Sequence, residues 1–403
     1  MAKKKDITME EAIQVILKSG GDNPLRQMLE FMAQQTLECE MTEHLGAKSY
    51  ERTFERKGLR NGYKPRILIT RVGDLRLLVP QDRDGTFSTS LFCRYQRSEK
   101  ALVLTLMEMY IQGVSTRKVK KVTEELCGRS FSSQLISKLT KGLDQELSVW
   151  RNRPLCGPYP YLIVDARYEK VRVNHKVISQ GVLIVIGVNK EGRREILSVE
   201  MADTENTTTW SSMFKGLKQR GLDGVLLVVS DNHEGIKAAA SRYFQGASWQ
   251  RCQCHFIRNL LCLAPKGLKK TLHAELRAIF DSSDLSMAKK RLFETIKSWE
   301  KMRPDIAEKL DEEAEDVLTC FYFPASHRKR IRTTNCVERL NQEIKRRTKV
   351  ARIFPNRDST LRLITALCVE QSEEWETSRK YLNMEKLEEL KEETGLKLKT
   401  ISL

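Results

Sequence analysis

Apolar positions recur along this chain in two rhythms, and the change from one to the other divides it. Leu25, Met28, Leu29 and Met32 fall at i, i+3, i+4 and i+7, the stripe of an amphipathic helix with one buried face, so residues 1–48 read as helical. Residues 99–150 read as helix too, punctuated at Gly113 and at Cys127 and Gly128. Within them a helix from Thr116 to Leu126, a turn through Gly128 and Arg129, and a helix from Ser132 or Ser133 outline a helix-turn-helix. Three prolines and a glycine in RNRPLCGPYP (151–160) then stop the helix and mark a boundary. Beyond it the period shortens to that of strands: YLIVDARYEKVRV, GVLIVIGVN and REILSVEM follow one another through tight turns, which favours antiparallel neighbours. A helix over 207–219, the buried-type strand GVLLVVS, a helix over about 234–243 and the strand WQRCQCH complete the series. From about Phe256 to the middle of the 320s the pattern is again helical (LKKTLHAELRAIF, AKKRLFETIKSWEKM), and residues 364–390 read as amphipathic helix with paired charges.

Three strands, helix, strand, helix, strand is the order of the RNase H-like fold, a mixed sheet flanked by helices. The expected class is therefore an α/β core of RNase H-like type with an all-helical insertion, preceded by mainly helical domains. The divisions are a helical and basic region over 1–98, a helix-turn-helix-like domain over 99–155, a first part of the core over 156–255, the insertion over 256–326, and a second part over 327–403. A length of 403 residues agrees with several domains. The longest apolar run, GVLIVIGV, is far short of the ~20 residues a bilayer requires, and MAKKKDITMEE lacks the apolar segment of a signal peptide. The ten cysteines show no framework spacing, as in reduced cytoplasmic proteins. A net charge of +17 points to a polyanionic partner, nucleic acid first.

Two aspartates stand at the exits of core strands, Asp165 after YLIV and Asp231 after VLLVVS. A carboxylate is costly to bury unpaired inside a sheet, so at a strand exit it meets solvent, a cation or a partner. Either could instead be a turn or capping residue, Asp231 especially, because DNHEG opens a helix. Glu338 in RTTNCVERLNQEIKRRTKV is the third acid. If Asn335 caps that helix, Glu338 could close a capping box; yet Glu338, Asn341, Gln342 and Lys345 also align on one polar face. Three converging carboxylates repel one another, and two divalent cations ~3.5–4 Å apart resolve that while serving phosphodiester displacement. Oxygen ligands favour two Mg²⁺ ions per site, with Mn²⁺ as a substitute.

The surroundings are basic. Residues 327–352 carry ten Lys or Arg against two acids, with Arg328, Arg330, Arg332, Lys345, Arg346 and Arg347 as candidate DNA contacts. Residues 52–76 carry eight basic residues against Glu55 and Asp74; Arg56, Lys57, Arg60 and Lys64 would track phosphates there. Ser133, Gln134, Ser137, Lys138 and Lys141 lie on or near the exposed face of the second helix of the helix-turn-helix. In RCQCHFIRN, Cys252, Cys254 and His255 lack the second ligand pair of a structural zinc site. Cys252 and Cys254 are expected to share one face of a strand, while His255, Arg258 and Asn259 begin a helix beside the pocket.

Taken in order, VDARYEKVR, VVSDNHEGIKAA, WQRCQCHFIRN and RTTNCVERLNQEIKRRTKV resemble the bacterial insertion-sequence transposases of the Mutator type, over roughly residues 73–364. GDLRLLVPQDRDGTF and TTTWSSMFKGLKQRGL add collinear support. The resemblance implies a DDE triad, here Asp165, Asp231 and Glu338, on an RNase H-like domain interrupted before the glutamate, with Cys252 and His255 as a Cys-x-x-His pair near the active site. It implies an enzyme that binds double-stranded DNA at terminal inverted repeats and at a target, cleaves and joins strands with divalent metal, and works in the bacterial cytoplasm at the nucleoid. For many members of the family it implies a circular intermediate as well. A homodimer is expected, its surface drawn from residues 25–32, the insertion or residues 382–390. Two rivals remain: a DNA-binding regulator with a dead catalytic fold, and a nuclease without strand transfer.

Overall fold

The computed structural model describes residues 24–70, 72–91, 100–112, 114, 116–127 and 131–393, which gather into two compact units, one within 1–142 and one within 143–403. In the first unit, α1 (Pro24–Leu45) buries Leu37, Met41 and Leu45 along one side. The stripe expected to be buried sits a turn too early: Leu25, Leu29 and Met32 are exposed. Strands β1 (Arg60–Thr70) and β2 (Gly73–Asp82) form an antiparallel hairpin, and Leu68, Leu75 and Leu77 pack with Leu37. Three short helices follow, α2 (Lys100–Ile111), α3 (Thr116–Cys127) and α4 (Ser133–Lys141), around Leu102, Leu106, Val119, Phe131 and Ile136. Ser132 starts α4 by accepting a 3.1 Å hydrogen bond from the Leu135 amide, one of the free donors of a helix start. Gly113 and the turn over 128–130, on which the helix-turn-helix reading partly rests, lie outside the described residues.

The second unit opens with α5 (Asp144–Arg151), held by a two-pronged pair from Arg362 to Asp144 at 2.6 and 2.7 Å. The proline-rich break at 151–160 follows this helix. Then β3 (Tyr161–Val173), β4 (Lys176–Val188) and β5 (Arg194–Ala202) run antiparallel, α6 (Thr207–Gln219) crosses back, and β6 (Leu227–Ser230), α7 (Glu234–Tyr243) and β7 (Ser248–Arg251) complete a five-stranded sheet. Its order is β5-β4-β3-β6-β7, with β6 and β7 parallel to β3. A central strand is covered on both faces, which is why Tyr161, Leu162, Ile163 and Val164 are apolar without alternation. Leu162, Val164, Leu183 and Val185 meet Trp210, Phe214, Ile236 and Ala239 of α6 and α7 on one face. The fold is thus mixed α/β, with the parallel junction of β3 and β6 at its centre.

After β7 the chain turns at Cys252 directly into α8 (Gln253–Leu263), so Cys254 lies on a helix and shares no strand face with Cys252. Cys252 N makes the last ladder bond, to Ser230 O (2.6 Å), and Gln253 N bonds instead to Arg332 O (3.0 Å) as the helix begins. Helices α9 (Lys269–Phe280), α10 (Leu285–Met302) and α11 (Pro304–Leu318) follow, then a 3-10 turn, α12 (Ala325–Ile331), α13 (Asn335–Thr348), α14 (Arg357–Thr377) and α15 (Glu385–Glu393). The tail is not one amphipathic helix: in α14 Leu363, Ile364, Ala366, Leu367 and Cys368 are all buried, and the chain breaks before α15. Among the described residues no helix is long and apolar enough to cross a membrane.

Candidate active site

The last paired residues of the parallel junction are Ile163 on β3 and Val229 on β6. Asp165 lies two residues further along β3, which continues beside β4 to Val173, and so keeps the face of Ile163, while Asp231 directly follows the last residue of β6, the strand ~4.8 Å from β3. That face is opposite the one buried under α6 and α7. The Asp165 carboxylate accepts from Ala166 N (2.9 Å) and from Asn341 Nδ2 (2.8 Å) on α13. Asp231 does not cap α7: His233 occupies that position and accepts from Gly235 N at 3.1 Å through Nδ1.

Helix α13 brings in the third acid. Its N-cap is Thr334, with no side-chain capping bond, so Glu338 stands one residue beyond the position a capping box requires. Asn335 is the first helical residue and not the cap; its Oδ1 accepts from Cys254 Sγ at 3.6 Å. Glu338 Oε1 is buried without a hydrogen bond, with His255 Nε2 at 3.4 Å and Arg258 Nη2 at 3.9 Å. One turn on, Asn341 is held from both sides: it donates to Asp165, and Arg167 of β3 donates to its carbonyl. Arg167 also pairs with Glu169, which accepts from Thr348 Oγ1 at 3.1 Å, so the strand and the helix are stitched along their length.

Charge reports the convergence. Burial, then the charge of Asp231 and less strongly that of Glu338, push the Asp165 carboxyl up to about 7, while His255 opposes the rise. His255 is itself raised, first by its hydrogen-bonding contact with the Cys252 sulfur and then by the charges of Cys252 and Glu338, against burial. That contact falls short of good geometry at Nδ1, which has no hydrogen bond. Cys252 is fully buried and accepts from Thr334 N (3.4 Å) and Thr334 Oγ1 (3.3 Å). Hydrogen bonding from Cys254 and then from His255 and Thr334 holds its thiol well below the usual range, and the Cys254 thiol rises in turn. Cys252 thus ties β6, β7 and the start of α13 together, while His255 faces the reactive side. Asn259 is exposed on α8, one turn beyond His255.

Among the described residues no three His, Cys, Asp or Glu side chains close on one point as ligands of a single ion, zinc included. Mg²⁺ asks for less, one or two carboxylates with waters and substrate phosphate completing its shell. The buried and unbonded Glu338 Oε1 and Asn341 Oδ1, beside an Asp165 carboxyl raised by burial and then by its acidic neighbours, form an oxygen donor set that such a cation satisfies.

The basic candidates divide. Gln134, Ser137, Lys138 and Lys141 are exposed on α4, as are Lys57 just before the hairpin, Lys64 on it, and Arg330 and Lys345 in the second unit. The Ser133 side chain lies outside the described residues. Others are committed inside the fold. Arg60 donates to Glu38 (2.9 Å) and Thr42 (2.8 Å), and Arg56 to the carbonyls of Gly58 (2.8 Å) and Glu51 (2.7 Å). Arg328 bonds three carbonyls, Arg332 pairs with Asp281 at 2.8 Å, and Arg346 and buried Arg347 both hold Glu343 at 2.7 Å. Sequence reasoning passes over Arg167 and Thr334, although Arg167 follows Asp165 at strand period and so shares its face.

Residues 1–378 match the family "Transposase, Mutator family". The transposase of insertion sequence element ISRM5 from Rhizobium meliloti is 50% identical over 97% of this chain and 98% of its own length. That of IS256 in transposon Tn4001 from Staphylococcus aureus is 43% identical over 94% and 97%, and that of IS1081 from Mycobacterium tuberculosis 36% over 94% and 92%. With the family matched across nearly the whole length and relatives of this closeness end to end, the chain belongs to the Mutator family of transposases.

Proposed function

We propose that the protein is a DDE transposase that binds the terminal inverted repeats of its element and performs divalent-metal-dependent strand cleavage and strand transfer. The observation that carries the reading is the placement of Asp165 within β3, just past its parallel pairing with β6, beside Asp231 directly after the end of β6, with Glu338 brought towards them on α13. The strand order, three antiparallel strands and then two parallel ones on the far side of β3, supports an RNase H-like core. The three carboxylates would hold Mg²⁺, which lowers the pKa of an attacking water or 3′-hydroxyl and stabilises the leaving oxygen. In the first step water oxygen bonds to phosphorus and the P–O3′ bond breaks, leaving a 3′-hydroxyl; in the second that hydroxyl attacks a target phosphodiester and releases a new 3′-oxygen. Asn341 fixes the rotamer of Asp165, and His255 beside Glu338 orients that carboxylate and offers a proton near the reacting phosphate.

The exposed face of α4 is suited to base readout and Lys57 and Lys64 to phosphate contact. A homodimer provides the two linked sites that paired ends require. A dead regulator is disfavoured by three acids whose arrangement costs stability and serves no cap. Mixing the protein with its element's end DNA, Mg²⁺ and a target plasmid tests the reading: nicked ends and joined products support it, nicking without joining would reduce it to a nuclease, and binding alone to a regulator.

A further inference from the structure

Behind the carboxylate site, a cavity of about 400 Å³ opens between α8, α9, α12 and the start of α13. Cys254 and Asn335 line it, so it shares both helices that carry His255 and Glu338. Its wall holds Arg194, Arg277, Lys329, Arg330, Arg332 and Arg339 against one acid, Asp281. That acid is taken by Arg332 at 2.8 Å and Arg277 at 3.9 Å. Among the described residues Arg194, Lys329, Arg330 and Arg339 therefore face the cavity with no carboxylate partner. Aromatic rings hold two of them in place: Arg194 stacks between Trp375 and Tyr381 at 4.2 and 4.4 Å, and Arg330 covers Tyr381 from 5.2 Å. Stacking fixes the plane of a guanidinium and leaves its N–H edge free, the geometry that takes a phosphate in two-point fashion. The α13 start adds N–H groups, since Thr334 makes no side-chain cap and Asn335 and Cys336 border the cavity.

Like charges packed this way are unfavourable without a counter-charge. Burial depresses the Arg194 pKa first, and Arg330 and Arg339 depress it further. The protein maintains that arrangement beside the helix that carries Glu338.

We infer that this cavity is a subsite for backbone phosphate of the DNA strand leaving the catalytic carboxylates, held by Arg194, Arg330 and Arg339. The inference rests on the transposase reading and adds to it a particular strand path, through the cleft behind α13.

The test is binding of the full chain to end DNA in EDTA, where no chemistry occurs and the triad is not called upon. Arg330→Gln and Arg339→Gln, singly and together, are compared with Arg339→Lys across a salt series. The slope of log affinity against log salt should fall by about 0.9 for each phosphate that is no longer neutralised, and Arg339→Lys should restore most of it. Single methylphosphonates are then walked along each strand. One or two neutralised phosphates should weaken the wild-type protein roughly tenfold while leaving the double variant unaffected. Equal methylphosphonate sensitivity in wild type and double variant, with unchanged melting temperature, would overturn the subsite and leave the arginines as packing around Tyr381. Stabilisation by millimolar inorganic phosphate or pyrophosphate that does not compete with DNA would overturn it in favour of a free anion. Failure of the triad assignment has a separate signature, cleavage that survives Glu338→Gln, and does not alter these binding results.

Discussion

Asp165 links the fold's stability to its chemistry in a way that pH exposes. Its carboxyl is raised from an ordinary value of 3.8 to about 7, by burial and then by Asp231. A carboxyl raised on folding binds its proton more tightly in the native than in the unfolded chain, so its contribution is greatest below the unfolded value and is lost as pH climbs to the native one. At roughly 1.4 kcal/mol for each tenfold change in proton affinity, the whole loss is about 4 kcal/mol, of which roughly 2–3 kcal/mol falls between pH 5 and pH 8. Asp165→Asn removes the ionisation and keeps the shape. The introduced amide retains the Ala166 bond, and Asn341, whose Oδ1 has no partner, can turn its amide over to accept from it. In EDTA, denaturant unfolding of the variant should gain on the wild type by about that amount from pH 5 to pH 8 and then level off. At ~2–4 °C per kcal/mol the wild type loses on the order of 10 °C of relative melting temperature across that window. Adding Mg²⁺ at pH 8 should close most of the gap for the wild type only. A stability difference that stays flat from pH 5 to pH 8 would refute the reasoning, because it would mean that Asp165 ionises freely and that neither burial nor Asp231 acts on it.

His255→Ala should lower strand transfer at least tenfold with little change in melting temperature, whereas Cys252→Ala should cost about 1–3 kcal/mol in urea unfolding by stranding buried Thr334; equal effects on stability would dissolve the division of labour between them. Gln134→Ala and Lys138→Ala should change the ratio of affinities for end and random DNA in competition titrations, and Lys57→Ala and Lys64→Ala should weaken both alike and flatten the salt dependence by about one unit for each phosphate released. Light scattering of the end-DNA complex should give two chains per pair of ends.

The order of strands and helices was legible because it is written in local periodicity; Asp231 does follow the end of β6, but Asp165, expected at a strand exit, lies inside β3, because pairing with β4 carries that strand on to Val173 through polar residues. What local pattern could not supply was the partner of each charge. Arg60 looks like a DNA contact in a basic stretch, yet Glu38 claims it from a helix that no count of neighbouring charges reaches, whereas the Glu343 that holds Arg347 lies four residues away, within reach of helix spacing. Asn335 has the chemistry of a cap but sits a residue too late, because the chain is pinned at Thr334 by the buried Cys252 sulfur. Cys254 fits a strand alternation, yet pairing with β6 runs out at Ser230 and the chain turns at Cys252 into α8. The basic cavity could be read only in part, since Arg330 and Arg339 share one basic stretch, while Arg194 and Tyr381 come from two others distant in sequence.

Three carboxylates acting as one are the centre of the proposed chemistry. Cleavage and joining of end DNA should be measured for Asp165→Asn, Asp231→Asn and Glu338→Gln alongside end-DNA affinity, in Mg²⁺ and again in Mn²⁺. Each variant should lose both reactions by three orders of magnitude or more while binding end DNA within a few-fold of wild type, and the wild-type protein should work in either metal and stop with chelator. Near-normal cleavage by Glu338→Gln would contradict this chemistry, since the one acid delivered by α13 would then hold structure and not the reaction.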